Sequence, residues 1–314
     1  MKLNLRLGNA NHSAAVSALN DNIPGFTTNK DLMILGADVV HPGTKSAKGT
    51  PSIAAVIGSI DGDFARFRGS ARRQEGKLEI IQDMDVMIRE RIQAYKTANG
   101  GRAPARILYY RDGVDDGKLP DVRHYEVEAI RLAWQKETLG GTQADQGLEI
   151  TVVVVTKRHN TSFYPASADR NAMINNGNCL PGTVVESTIT HPYYWDLFLL
   201  SHNSIQGTGR PAHYMVLENE IGFSASQIQN LTNILCYTYG RSTTAVSYVT
   251  PANYADHLCE RAKQYLRPLF DGEDDYNGWT EDDIESEAQQ MWEAGGRIGG
   301  NPWHQALDDT MFWM

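Results

Sequence analysis

The chain has 314 residues, of which 41% are hydrophobic and 21% charged, so it is neither disordered nor fibrous. Its longest apolar runs, residues 152–155 and 195–200, are far shorter than the ~20 residues that cross a bilayer, and we expect no membrane-spanning segment. The net charge of −9 is local, because 12 acidic residues and one basic residue follow position 270. Residues 1–270 hold 28 basic and 26 acidic groups and are free to carry a basic cleft.

Cysteine usage and the N-terminus indicate a reducing compartment. The three cysteines, Cys179, Cys236 and Cys259, form no CxxC pair. Residues 1–13 alternate polar and apolar side chains where a signal peptide would have an apolar core. We therefore expect free thiols and a cytoplasmic protein, with a nuclear location as the alternative.

Hydrophobic periodicity predicts an α/β fold. Residues 31–38, 52–61 and 64–72 resemble three strands of an antiparallel meander, with a turn at residues 61–63. A helix, a strand, a second helix and a buried strand follow in the order 78–95, 105–110, 120–136 and 150–156. Two more helices are predicted at 224–239 and 254–266. The order implies a mixed sheet flanked by helices, which an RNase H-like fold has, although other folds share it.

Two aspartates follow neighbouring strands of this predicted sheet. Asp38 ends the first strand, and Asp112 ends the strand after the first long helix. Carboxylates at the same end of adjacent strands form a hard-oxygen site suited to Mg²⁺. The alternative for each residue is a turn former, because aspartate is common just after strands.

Eight sequence segments, in order and with intact spacing, resemble the PIWI domain of eukaryotic Argonaute proteins. They are GADVVHPG (36–43), PSIAAVIGSID (51–61), EIIQDM (79–84), YYRDGV (109–114), TKRHNTSFYP (156–165), LPGTVVESTITHP (180–192), SHNSIQGTGRPAHY (201–214) and PANYADHLCERAK (251–263). The resemblance covers about residues 2–266 and the C-terminal end. It implies an RNase H-like mixed sheet flanked by helices.

The resemblance also implies a domain organisation. Residues 1–30 correspond to the lead-in from the end of a MID domain, and residues 31–314 to the PIWI domain. The acidic stretch near 271–293 is an insertion that we expect to be a solvated, flexible segment. The N-terminal, PAZ and MID domains would be partners, so we expect the chain to be part of a larger protein.

Four carboxylates match the family's catalytic positions: Asp38, Glu79, Asp112 and Asp256. Glu79 corresponds to a glutamate that the family inserts as a finger, although a first-turn helix glutamate is the alternative. Asp256 fits the register better than His257, which would point about 100° away on a helix. An aspartate at this fourth position is more similar to fungal than to animal Argonautes.

The resemblance further assigns residues to a guide RNA. Those that match the binding site for its 5′ phosphate are Lys2, Arg6, Arg261 and the terminal Met314. Those that match contacts to the guide backbone are Lys157, Arg158, His202, Gln206, Arg210 and Arg241. Such contacts fix register without reading bases, whereas for any single basic residue a plain surface charge is the alternative.

Together these matches imply a small-RNA-guided endoribonuclease that cleaves complementary RNA, leaving a 3′-hydroxyl and a 5′-phosphate. Two Mg²⁺ ions, which Mn²⁺ can replace, would be held by Asp38, Asp112 and Asp256. Its partners would be a 5′-phosphorylated guide RNA, a target RNA and silencing-complex proteins. One alternative is a guide-binding scaffold that represses by recruiting partners without cleavage. Another is a guide-independent nuclease, which would leave the guide-phosphate residues unexplained.

Overall fold

The computed structural model describes residues 1–25, 31–141, 147–166, 173–174, 176–272 and 275–314. The strands in these residues are β1 (Leu32–Val40), β2 (Ser52–Ser59), β3 (Phe67–Gln74), β4 (Arg106–Asp112), β5 (Glu149–Thr156), β6 (Thr183–Val185), β7 (Trp195–Leu200) and β8 (Ala212–Asn219). They form one sheet in the order β3-β2-β1-β4-β5-β8-β7-β6. The β1–β4 and β4–β5 pairs are parallel and the other pairs are antiparallel, which confirms the predicted mixed sheet.

The α-helices of the described residues are α1 (Lys2–Arg6), α2 (Val16–Asn22), α3 (Met84–Ala98), α4 (Leu119–Asp121), α5 (Val127–Thr138), α6 (Ala225–Cys236), α7 (Thr250–Lys263), α8 (Arg267–Asp271) and α9 (Glu281–Glu293). A π-turn over Val122–Glu126 joins α4 to α5. Among these helices, none has the length and apolar character needed to span a membrane.

Helices cover both faces of the sheet. Successive residues of β1 point to opposite faces, so that Met33 and Leu35 enter one core while Ile34 enters the other. The first core contains the apolar sides of α3 and α5. The second contains those of α6 and α7. The fold is therefore the predicted sheet with flanking helices.

Helix α7 lies unusually close to the middle of β1. A Cβ atom at Gly36 would lie 2.2 Å from the carbonyl oxygen of Pro251, in the first turn of α7. Only glycine permits such an approach of two backbones. Because Gly36 precedes Asp38 by two residues, this contact fixes α7 directly over the end of β1.

The first long helix begins later than the predicted residue 78. It starts at Met84, and the stretch before it is extended. The Gln74 side-chain nitrogen donates to the carbonyl oxygens of Leu78 and Ile80, at 2.7 and 3.1 Å. These bonds hold carbonyls that a helix would use internally. Glu79 is consequently a loop residue and not a first-turn helix glutamate.

The acidic C-terminal stretch is partly helical, which corrects the expectation of a solvated, flexible segment. Helix α9 begins with a capping box in which Thr280 and Asp283 satisfy each other's backbone N–H groups. Its inner side is apolar and buried, through Ile284, Ala288 and Trp292. Spacing of four residues between these side chains is typical of a helix packed on one side. Residues 273 and 274 of the stretch lie outside the described residues.

Gly36→Ala tests the close approach of α7 and β1. We expect it to lower the free energy of unfolding by about 1–3 kcal/mol, because the new methyl group must displace backbone atoms. Gly117→Ala is the matched control, since no atom lies within 4 Å of its added Cβ. Chemical denaturation of the two variants measures both effects, and equal stabilities would contradict the close contact.

Candidate active site

Asp38 and Asp112 lie side by side at the carboxyl ends of β1 and β4. The two strands pair in parallel with Ala37 opposite Arg111, which places the next residues, the two aspartates, level with each other. Asp38 is only 8% exposed. The chain turns sharply after Asp112 at Gly113, whose φ is +78° and which leaves open the space beside the Asp38 carboxylate. The predicted adjacency of the two strands is confirmed.

Asp256 reaches the same place from helix α7. One turn further along α7, the Cys259 Sγ donates to the Asp38 carbonyl oxygen at 3.3 Å, which ties this helix to the end of β1. His257 faces elsewhere, and its Nε2 pairs with the Tyr239 hydroxyl at 2.8 Å. The geometry thus brings Asp256, and not His257, to the aspartates of the sheet.

The three aspartates influence one another electrostatically. Burial raises the pKa of Asp38 to about 6, with Asp256 adding to the rise and Arg111 opposing it. The pKa of Asp112 lies well above its ordinary value, first through burial and then through the charges of Asp38 and Asp256. Burial also raises the pKa of Asp256. Such mutual effects are expected only where the carboxylates are close and poorly neutralised.

Glu79 approaches these aspartates from the loop before α3. One carboxylate oxygen accepts from the Arg111 guanidinium at 2.8 Å, and the other pairs with His41 Nε2 at 2.9 Å. The opposite ring nitrogen of His41 is 2.8 Å from the Ser52 hydroxyl, which orients the imidazole. The charge of Glu79 contributes to the raised pKa of Asp38, so all four predicted carboxylates share one region.

A buried ion pair supports Arg111 from behind. Arg111 and Glu126 are both fully buried, and the Arg111 Nε lies 3.3 Å from each oxygen of Glu126. Glu126 also accepts from the Tyr109 hydroxyl at 2.7 Å and from the Ile81 N–H at 3.2 Å. The π-turn ends at Glu126. Sequence reasoning missed this residue, although a glutamate four residues after Val122 and four before Ile130 was a detectable signal.

Tyr248 is a second residue that sequence reasoning missed. It lies just before α7, and its hydroxyl is hydrogen-bonded to the side chains of Asp112 and Asp256. The Lys157 ammonium lies 5.6 Å from the centre of the Tyr248 ring. No motif or periodicity singled out this tyrosine, because Asp112 and Lys157 come from distant parts of the chain.

The residues predicted to bind the guide 5′ phosphate lie at and around the C-terminus. Arg6 Nε donates to an oxygen of the buried Met314 at 2.7 Å. The Arg261 guanidinium is 5.9 Å from the ring of Phe312, two residues before the terminus. Lys2 is exposed one turn before Arg6 on α1. The structure therefore brings Arg6 and Met314 together, with Arg261 close to the same terminal segment.

Two of the predicted guide-backbone residues reach the aspartates. Lys157 is partly buried, which lowers its pKa to about 8, and it interacts electrostatically with Asp112. Arg158 is exposed and acts in the same way on Asp256. His202 is partly buried, and burial together with Lys157 lowers its pKa to about 4.

The other three guide-backbone residues are all exposed: Gln206, Arg210 and Arg241. Arg210 is near enough to Lys157 to contribute to the lowering of its pKa. Arg241 acts in the same way on His257, beside the fourth carboxylate. The six side chains thus spread from the aspartates onto the surrounding surface.

The carboxylates of the site are neighbours without forming a closed metal-binding cluster. Within the residues that the structure describes, no group of three or more His, Cys, Asp and Glu side chains is arranged tightly enough to hold a metal ion. Tyr248 and Arg111 occupy some of the hydrogen-bonding positions of these carboxylates. A metal ion bound here would therefore require small movements of the side chains towards one another.

The sequence matches the family model for the Piwi domain over residues 1–267. The chain belongs to the Piwi domain family. It is 41% identical to protein argonaute 1A of Oryza sativa subsp. japonica over 283 residues, which are 85% of this chain and 25% of that protein. It is also 41% identical to protein argonaute 5 of Arabidopsis thaliana over 281 residues, again 85% of this chain and 27% of the relative.

Solved Argonaute structures have the same fold as this Piwi domain. The C-terminal lobe of a budding yeast Argonaute matches with a TM-score of 0.81 and 28% identity, covering 100% of this chain and 59% of that one. Kluyveromyces polysporus Argonaute with a guide RNA matches with a TM-score of 0.83 and 28% identity, covering 100% and 36%. The fold assignment is confirmed. The Piwi domain spans about a quarter of the length of the plant relatives named above.

Glu126→Gln tests the ion pair behind Arg111. We expect the free energy of unfolding to fall by about 3 kcal/mol, because a buried guanidinium loses its fully desolvated anionic partner. Tyr109→Phe is the matched control, which removes one hydrogen bond to the same carboxylate and costs about 1 kcal/mol. Urea denaturation distinguishes the two, and a Glu126→Gln variant as stable as the control would contradict the assigned pairing.

Proposed function

We propose that this Piwi domain cleaves RNA that is paired to a guide RNA. The observation that carries the proposal is the meeting of Asp38, Asp112 and Asp256 at the ends of β1 and β4 and under α7, with Glu79 beside them. Buried carboxylates that raise one another's pKa are unfavourable for stability, and such arrangements cluster at functional sites. The family membership and the likeness to an Argonaute with a guide RNA support a guide-directed reaction.

The side chains fit a pair of hard divalent cations. Carboxylate oxygens are the ligands that Mg²⁺ prefers, and Mn²⁺ accepts the same set. Asp38, Asp112 and Asp256 would hold the ions, because their pKa values are raised by one another's charge and by burial. Bound there, Mg²⁺ would supply positive charge to the attacking and leaving oxygens of a phosphate ester.

The residues of the chain contribute position and charge. Arg111 and His41 hold Glu79 by both of its oxygens, which keeps this carboxylate pointed at the aspartates. Glu79 is thereby placed to complete the acidic centre and to orient a water molecule. Lys157 and Arg158 lie next to Asp112 and Asp256 and would hold the RNA phosphates against the carboxylates.

Binding of the guide would use the C-terminal region. Arg6, Arg261 and the terminal carboxylate of Met314 gather near one another, with Lys2 one turn away on α1. A terminal carboxylate and a 5′ phosphate are both anionic, so their association would require these basic residues and a shared cation. The cytoplasmic location and the fungal affinity inferred from Asp256 stay predictions.

A cleavage assay tests the proposal. The full-length protein that carries this chain is loaded with a synthetic 5′-phosphorylated guide and given a labelled complementary RNA with Mg²⁺. We expect one cut opposite the middle of the guide, abolished by EDTA and reduced on the order of 100-fold or more in Asp38→Ala. Tight target binding without a cut would contradict cleavage and support the scaffold function.

Asp112→Ala separates the two functions in cells. If silencing depends on cleavage, the variant loses it while guide and target binding persist, because the basic residues are intact. Retained silencing would favour the scaffold. Reporter RNA levels, measured beside the guide content of the purified protein, give both readouts.

The fourth carboxylate has its own matched pair of variants. Asp256→Asn is expected to lower the cleavage rate on the order of 100-fold, because it removes one charge from the acidic centre. His257→Gln should cleave within a fewfold of wild type, since this side chain pairs with Tyr239 on another side of α7. The opposite ranking of single-turnover rates would show that His257 is the fourth residue.

A further inference from the structure

Tyr248 joins two elements of the acidic centre that are far apart in the sequence. Its hydroxyl is hydrogen-bonded to Asp112, at the end of β4, and to Asp256, on the second turn of α7. A tyrosine hydroxyl has one proton, so it donates to one carboxylate at a time. The other carboxylate then directs its lone pairs into the same space and remains short of a positive partner.

The backbone around Tyr248 is fixed on both sides. The Val246 N–H donates to the Cys236 carbonyl at 2.9 Å, and the Val246 carbonyl accepts from the Ser201 hydroxyl at 2.6 Å. On the other side, the Val249 N–H donates to the buried Tyr214 hydroxyl at 3.0 Å. With its neighbours held at both ends, the Tyr248 side chain has little freedom to leave the two aspartates.

Lys157 holds the ring itself. Its ammonium lies 5.6 Å from the ring centre, a distance at which a cation is attracted to the aromatic face. Lys157 also interacts with Asp112, so the cation, the ring and the carboxylate form one cluster. The tyrosine is therefore positioned by packing and charge, and its hydroxyl is directed at the carboxylates.

We propose that Tyr248 is a positioning residue that sets the separation and orientation of the Asp112 and Asp256 carboxylates for binding a divalent cation. This inference rests on the proposed function. Outer hydrogen bonds of this kind orient ligating groups, and their loss typically weakens metal binding 10- to 100-fold. The role belongs to the hydroxyl, because the ring alone would satisfy the contact with Lys157.

Tyr248→Phe tests the role, since it keeps the ring and removes the hydroxyl. Mn²⁺ binding to the 314-residue chain is measured by electron paramagnetic resonance of the free ion, with thermal unfolding as a check of the fold. We expect the Kd of the Asp112-dependent Mn²⁺ site to rise roughly 10-fold or more. Tyr239→Phe is the matched control, because its hydroxyl pairs with His257 next to Asp256, and its Kd should equal that of wild type.

The outcomes separate this role from the proposed function. Unchanged Mn²⁺ affinity in a folded Tyr248→Phe variant would overturn the positioning role, while the cleavage assay on wild type would still stand. Tighter binding in Tyr248→Phe would also overturn it, by showing that the hydroxyl competes with the cation. If Asp112→Ala does not alter Mn²⁺ binding, the aspartates hold no cation, and the metal-binding part of the proposed function fails with the positioning role.

Discussion

The Piwi domain holds three aspartates in partly dry surroundings, and their mutual repulsion is the constraint around which the rest of the site is arranged. Asp38 and Asp112 both have raised pKa values because burial and neighbouring carboxylates disfavour their charged forms. Arg111 opposes the effect, but one guanidinium cannot neutralise three carboxylates and also bind Glu79. Stability would be served better by apolar side chains at these positions. The arrangement is thus best explained by a bound cation during function.

Each part of the fold around this repulsion has a local cause. The parallel β1–β4 pair sets two aspartates level, and Gly36 lets α7 approach closely enough to bring the third. The Arg111–Glu126 pair forms a rigid support below them, and Arg111 extends from it to hold Glu79. Because Arg111 interacts with both Asp38 and Glu79, a change in the aspartates' charge would be transmitted to the glutamate.

Much of the fold and the catalytic positions could be predicted from the sequence, for physical reasons. Strand and helix periods are local, so the strands that end at Asp38 and Asp112 and the order of elements were readable. The start of α3 was not, because the Gln74 side chain competes for carbonyls that the helix would use. Tyr248 was not predicted either, since only tertiary packing brings it to Asp112 and Lys157, which lie far away in the sequence. The acidic segment reads as solvated by charge alone, whereas the spacing of its few apolar residues builds α9.

The most direct test of a cation site among these aspartates is the anomalous scattering of Mn²⁺ in crystals of the chain bound to a guide and a non-cleavable target. The account predicts anomalous density within about 2.5 Å of carboxylate oxygens from Asp38, Asp112 and Asp256, with Glu79 beside it. A well-ordered complex with no Mn²⁺ density at these residues, at concentrations that fill other sites, would contradict it. The buried carboxylates would then be compensated by protonation and by Tyr248 and Arg111, without a metal ion.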